Sequence, residues 1–112
     1  MKQITAVIQP HMLAKVEHAL HALPQSPGFT LLRAKGHGRR TPAHAQRPTG
    51  WDLEEHDHVA LIVICSDEAA PRVVEAIRQS AHTGLSGDGI IAVCDALEVV
   101  HIGTGERGDA AV

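Results

Sequence analysis

Val59–Cys65 read VALIVIC, seven apolar positions in succession. A strand with one solvated face would place a polar side chain at every second position, and this one does not. Both of its faces are therefore expected to be covered. In a chain of 112 residues one face can pack on helices, which leaves little of the same chain for the other. A further copy of the protein is the expected cover, so a homo-oligomer is predicted.

The segments on either side supply the rest of the fold. Residues 2–8 (KQITAVI) set Ile4, Ala6 and Ile8 two apart, the period of a strand with one buried face. Pro10 suits a first helical turn, where its missing N–H costs nothing. Met12, Val16, Ala19, Leu20 and Leu23 then follow helical spacing, and Pro24 and the segment PQSPG end that helix. FTLLRAKG reads as a second strand closing at Gly36. After VALIVIC, Ser66 is placed to cap a helix whose inner face is Val73, Val74, Ile77 and Ala81. Two short strands are expected at 90–94 and 98–102. The order β-α-β-β-α-β gives a single α+β domain over 1–112, a ferredoxin-like sandwich with both helices on one face of the sheet.

Two segments interrupt this pattern. Residues 37–57 (HGRRTPAHAQRPTGWDLEEHD) carry two prolines and two glycines without a sustained period. Loops of that length in a compact domain are uncommon and usually functional. Arg33, Lys35, Arg39, Arg40 and Arg47 come without an intervening acid, and Asp52, Glu54, Glu55 and Asp57 follow without a base. Residues 82–89 (HTGLSGDG) hold three glycines. Glycine reaches positive φ and lets a ligand approach the backbone closely. Successive free N–H groups in such a turn make an anion-binding concavity.

With these stretches in view, the chain resembles the PII family of signal transduction proteins. The resemblance rests on Thr83-Gly84, Gly87-Asp88-Gly89 and Thr104-Gly105-Glu106 through Ala110-Ala111. Lys35-Gly36, Gly38-Arg39 and the opening Lys2, Ile4, Ala6, Ile8 and Pro10 agree with it, so it covers nearly the whole chain. It implies a homotrimer of ferredoxin-like subunits with an adenine nucleotide, ATP, ADP or AMP, in each cleft between subunits. It assigns 82–89 to the phosphate-contacting loop, 102–112 to a C-terminal tail and 37–57 to a flexible loop that docks onto a transporter or regulatory enzyme. The matched nucleotide positions are Thr30, Gly38, Arg39, Arg40, Ile64, Gly87, Asp88 and Gly89.

The chain departs from that family at several positions. Ile90, His101 and Gly103 stand where members usually carry cations. A charge-assisted hydrogen bond contributes roughly 1.5–3 kcal/mol, so three losses weaken triphosphate binding by on the order of a thousandfold. A nucleotide with fewer phosphates is the resulting expectation. Arg40 replaces a metal-holding Gln and has no acceptor to offer a cation. His58 replaces a Lys associated with an oxoacid carboxylate, so 2-oxoglutarate sensing is not carried over. The chain has no Tyr, which excludes the nucleotidylation used by some members. Trp51, near the equivalent place, is expected to pack against a neighbouring subunit.

Nine histidines are present. His56 and His58 lie two apart at a strand entrance and can project on one face. With His44 they form a candidate site for a zinc- or copper-class ion. This is the alternative function, a metal-responsive relative tied to heavy-metal efflux with weak or no ATP binding. The simpler alternative is a polar, solvated loop.

Other classes fare worse. The net charge of −3 argues against nucleic acid as a partner, and two aromatics, Phe29 and Trp51, cannot build a base-stacking platform. No apolar run approaches the roughly 20 residues of a membrane span, so no direct insertion is expected. The opening MKQITAVIQP lacks the pattern of a secretory signal, which points to the cytoplasm. No nucleophile, base and orienting group stand together, and the chain has no Asn to position a hydrolytic water, so an enzyme is not expected. Cys65 and Cys94 are both expected to be buried thiols.

Overall fold

The computed structural model describes residues 1–37 and 56–112. Its sheet has four strands: β1 (Lys2–Ile8), β2 (Phe29–Gly36), β3 (His56–Cys65) and β4 (Gly89–Asp95). They lie in the order β2-β3-β1-β4, every neighbouring pair antiparallel. Helix α1 (Leu13–His21) follows a single 3-10 turn at Pro10–Met12, and α2 spans Ala70–Ala81. This is the ferredoxin-like α+β arrangement. Among the described residues no helix is long and apolar enough to cross a membrane.

Strand periodicity determines which side chains meet the helices. Ile4, Ala6 and Ile8 of β1 alternate inward, as do Val59, Leu61, Val63 and Cys65 of β3. These pack with Val16 and Leu20 of α1 and with Val73, Ile77 and Ala81 of α2. Each Val, Leu or Ile among them contributes about 1.5–3 kcal/mol on full burial. Ser66 caps the turn that leads into α2 and not the helix itself, whose N-cap is Ala69: the Ser66 hydroxyl accepts the Ala69 N–H at 3.2 Å and its carbonyl the Ala70 N–H at 3.2 Å.

VALIVIC is buried only at every second position on the helix side. Ala60, Ile62 and Ile64 point to the opposite face, where they are half-buried. That face continues through Leu32 of β2, Val7 of β1 and Ile90 and Ala92 of β4 by register, with Thr5, Thr30 and Gln3 as its uncharged polar members. Leu32 is 51% and Ile90 71% exposed. An apolar, uncharged sheet face of this extent marks an interaction surface.

Three further expectations are corrected. Cys65 is buried, and that burial raises its thiol pKa, but Cys94 is exposed. Opposite Gln3 in the register, Cys94 belongs to the face without helices. Residues 98–102 form no strand. Val100 makes one antiparallel bridge to Arg107, and the chain folds back on itself as a short hairpin rather than extending the sheet. Finally, β3 begins at His56, three residues before the apolar run, because pairing with β2 continues to Gly36 opposite His56. The cross-strand partners Lys35 and Asp57 reinforce that end with an ion pair of 2.5 Å. The lysine holds the Asp57 carboxyl below its usual pKa.

Candidate functional site

The glycine loop joins α2 to β4 and is braced from within. Gly84, Gly87 and Gly89 take φ values of 85°, 91° and 111°. At Gly89 the requirement is absolute, because a β-carbon there would stand 2.9 Å from the carbonyl carbon of Val7 and closer still to its oxygen. Only glycine lets β4 enter the sheet beside β1 at this point.

The carboxylate of Asp88 turns back into the loop. It accepts the hydroxyl of Thr83 and, at 2.9 Å, the Thr83 N–H. The Thr83 hydroxyl oxygen in turn accepts the Leu85 N–H at 3.1 Å. His82 Nδ1 lies 3.3 Å from the same carboxylate. The hydroxyl of Thr83, then its N–H, hold Asp88 below the usual carboxylate pKa. From just beyond β1, Gln9 Nε2 donates to the Gly87 carbonyl at 2.7 Å. With the carboxylate and that carbonyl engaged inside, and the Asp88 N–H turned toward the Leu85 carbonyl, the N–H groups of Ser86 and Gly87 meet no acceptor among the described residues. Consecutive unpaired N–H groups at an exposed turn can receive an anion.

The C-terminal hairpin uses its histidine structurally. His101 Nδ1 accepts the N–H groups of Gly103 and Thr104, each at 3.1 Å. The ring nitrogen must be unprotonated to do so. The His101 N–H donates to the Glu106 carbonyl, and the Gly105 N–H to the His101 carbonyl, both at 2.8 Å. Neither His101 nor Ile90 brings a fixed positive charge to this region.

The expected nucleotide positions fall into two groups. Gly87, Asp88 and Gly89 stand at the end of the sheet where Gly89 pairs with Ile8. Ile64 pairs with Gln3 toward the opposite end, and Thr30 pairs with Ile62 at mid-strand on β2, the edge strand farthest from β4. Gln3 and Ile8 are five residues apart on β1, roughly 17 Å along the strand. A cleft of about 770 Å³ opens beside Ile64, lined also by Ser26, Gly28, Ser66 and Asp67. One copy therefore does not bring the two groups together. Gly38, Arg39, Arg40, His44 and Trp51 lie outside the described residues.

The comparison with known sequences decides the family. A family model for nitrogen regulatory protein P-II matches residues 1–106. The chain belongs to the P-II family. It is similar to the nitrogen regulatory protein P-II of Azospirillum brasilense, with 40% identity over 114 aligned positions that cover both chains fully. It is also 40% identical to that of Rhizobium meliloti (strain 1021), over 96% of each chain. An archaeal relative, nitrogen regulatory protein P-II 2 of Methanothermobacter thermautotrophicus, is 39% identical over all of this chain and 97% of its own. P-II proteins are regulators, so the chain is not an enzyme.

The metal-responsive alternative gains no support. Among the described residues no group of three or more His, Cys, Asp or Glu side chains could hold an ion. His56 and His58 do share a face. The His58 ring, however, lies over Gly36, where a β-carbon would be 3.1 Å from its Nδ1, and that nitrogen sits 2.9 Å from the His56 carbonyl oxygen. That contact engages only one ring nitrogen and leaves Nε2 as the other; what is lacking among the described residues is a set of three ligands.

Sequence reasoning found the glycines and Asp88 but missed Gln9, Thr83 and His101 as bracing groups. The Thr83–Asp88 spacing of five residues was a usable signal. For Gln9, which is 78 residues from Gly87, the sequence held none.

Proposed function

We propose that this P-II protein is a nitrogen-type signalling regulator that works as a homotrimer in the cytoplasm. An adenine nucleotide sits between subunits, with its phosphates on the N–H groups around Gly87–Gly89 of one copy. The Thr30 and Ile64 side of a neighbouring copy faces the rest of the nucleotide. Gly38, Arg39 and Arg40 join the site from the start of the segment between β2 and β3, which docks onto a membrane transporter or regulatory enzyme.

The separation of the two residue groups along one sheet carries this reading, because only a neighbouring subunit can complete the site. The apolar face of Val7, Leu32, Ile62 and Ile64 supplies a surface for that neighbour to bury. Charge sets the preference among nucleotides. With Ile90, His101 and Gly103 offering no fixed cation, a third phosphate gains little, so ADP binds about as tightly as ATP.

Titration calorimetry with ATP, ADP and AMP, run beside sedimentation, tests the proposal. A trimer that takes up one nucleotide per subunit supports it. No heat with any of the three, or a monomer at micromolar concentration, overturns it.

A further inference from the structure

We infer that Gln9 is a positioning residue for anion binding: its side-chain amide fixes the peptide that closes the turn at Ser86–Gly87, whose own N–H groups are unpaired among the described residues. This rests on the nucleotide reading above and adds a residue which that reading does not use. Gln9 directly follows β1, and its Nε2 donates to the Gly87 carbonyl at 2.7 Å. A trans peptide is planar, with its C=O and N–H pointing in opposite directions. The Gly87–Asp88 bond is trans. Holding the Gly87 carbonyl toward Gln9 therefore turns the Asp88 N–H away from it, into the hydrogen-bonded turn at Ser86–Gly87.

The peptide needs such a hold. Gly87 and Gly89 flank Asp88, and glycine backbones rotate more freely than others. Rotation of the Gly87–Asp88 peptide would open that turn and redirect the Ser86 and Gly87 N–H groups that a phosphate would meet. The Asp88 carboxylate restrains its own side chain through Thr83 but leaves the Gly87 carbonyl untouched. Gln9 is the group that reaches it. A β-carbon on Gly87 would come within 3.3 Å of Gln9 Nε2, so the amide also packs against the Gly87 backbone.

Gln9→Glu keeps the shape and removes the donor, while Gln9→Leu removes polarity as well. Either variant should bind ADP about tenfold more weakly, a loss of about 1.4 kcal/mol, and bind adenosine as the wild type does. In the ligand-free protein the Asp88 amide resonance should move, and the response of the Ser86 and Gly87 resonances to ADP should shrink. A purely structural role would lower thermal stability while weakening adenosine and ADP together. Wild-type binding of ADP that both variants retain, or an unmoved Asp88 resonance, overturns the role of Gln9 alone. A wild type that binds neither ligand overturns the nucleotide reading, and this inference with it.

Discussion

The backbone of Val7 occupies the space that a β-carbon on Gly89 would need. Gly89 opens β4 opposite Ile8, so the conflict falls where the phosphate-loop candidate joins the sheet. Gly89→Ala combines this clash with a φ of 111° that L residues rarely adopt. It should destabilise the fold by about 2–4 kcal/mol. Urea denaturation measures the loss, and a variant within 0.5 kcal/mol of wild type would contradict the geometry.

Asp88 predicts an acid dependence. Its folded pKa is depressed, chiefly by the Thr83 hydroxyl, so its contribution to stability is fully present above the unfolded value of about 3.9. That contribution is lost as pH falls through the lower folded value. Asp88→Asn should thus be less stable than wild type at pH 7, with a gap that closes on acidification below about pH 4. Denaturation midpoints from pH 3 to 7 give the comparison. A gap independent of pH would refute the assignment.

Assembly is expected to depend on the uncovered sheet face. Ile62→Glu places a charge amid Leu32, Thr30 and Ala60, away from the helix-side core. The variant should sediment as a folded monomer with an unchanged circular dichroism spectrum. Retention of the trimer would mean that copies meet elsewhere.

The His101 turn makes a local prediction. His101→Phe removes the acceptor for the Gly103 and Thr104 N–H groups without touching the sheet. Hydrogen exchange at these two amides should accelerate while exchange at β1 and β3 stays as it was. Unchanged protection would show that the ring is not their acceptor.

Leu61, fully buried at the centre of the sheet, tests the core. Leu61→Ala should cost about 2–5 kcal/mol by lost transfer energy and a residual cavity. Thermal unfolding gives the value. A loss below 1 kcal/mol would mean that the site collapses without a cavity.

Much of the fold was legible because strand and helix periods are local. The two-residue alternation of Ile4, Ala6 and Ile8 and the helical spacing of Val73, Ile77 and Ala81 named the core before any tertiary contact was considered. Residues 98–102 misled because β-propensity says a segment can be extended, not that a partner strand is available. Here Val100 finds only Arg107. Cys94 misled for a related reason: an apolar segment does not say which of its faces the helices cover.

The chain's own residues determined the element order, the helix-facing positions and the need for glycine in the 82–89 loop, since each depends on neighbours a few positions away. Only the tertiary structure decided that Gln9 reaches Gly87, that His101 closes its own turn, and that Ile64 stands at the other end of the sheet from Gly89 and Thr30 on its opposite edge strand. Those relations join residues through strand register and hydrogen-bond direction. Both arise only when the distant segments have packed together.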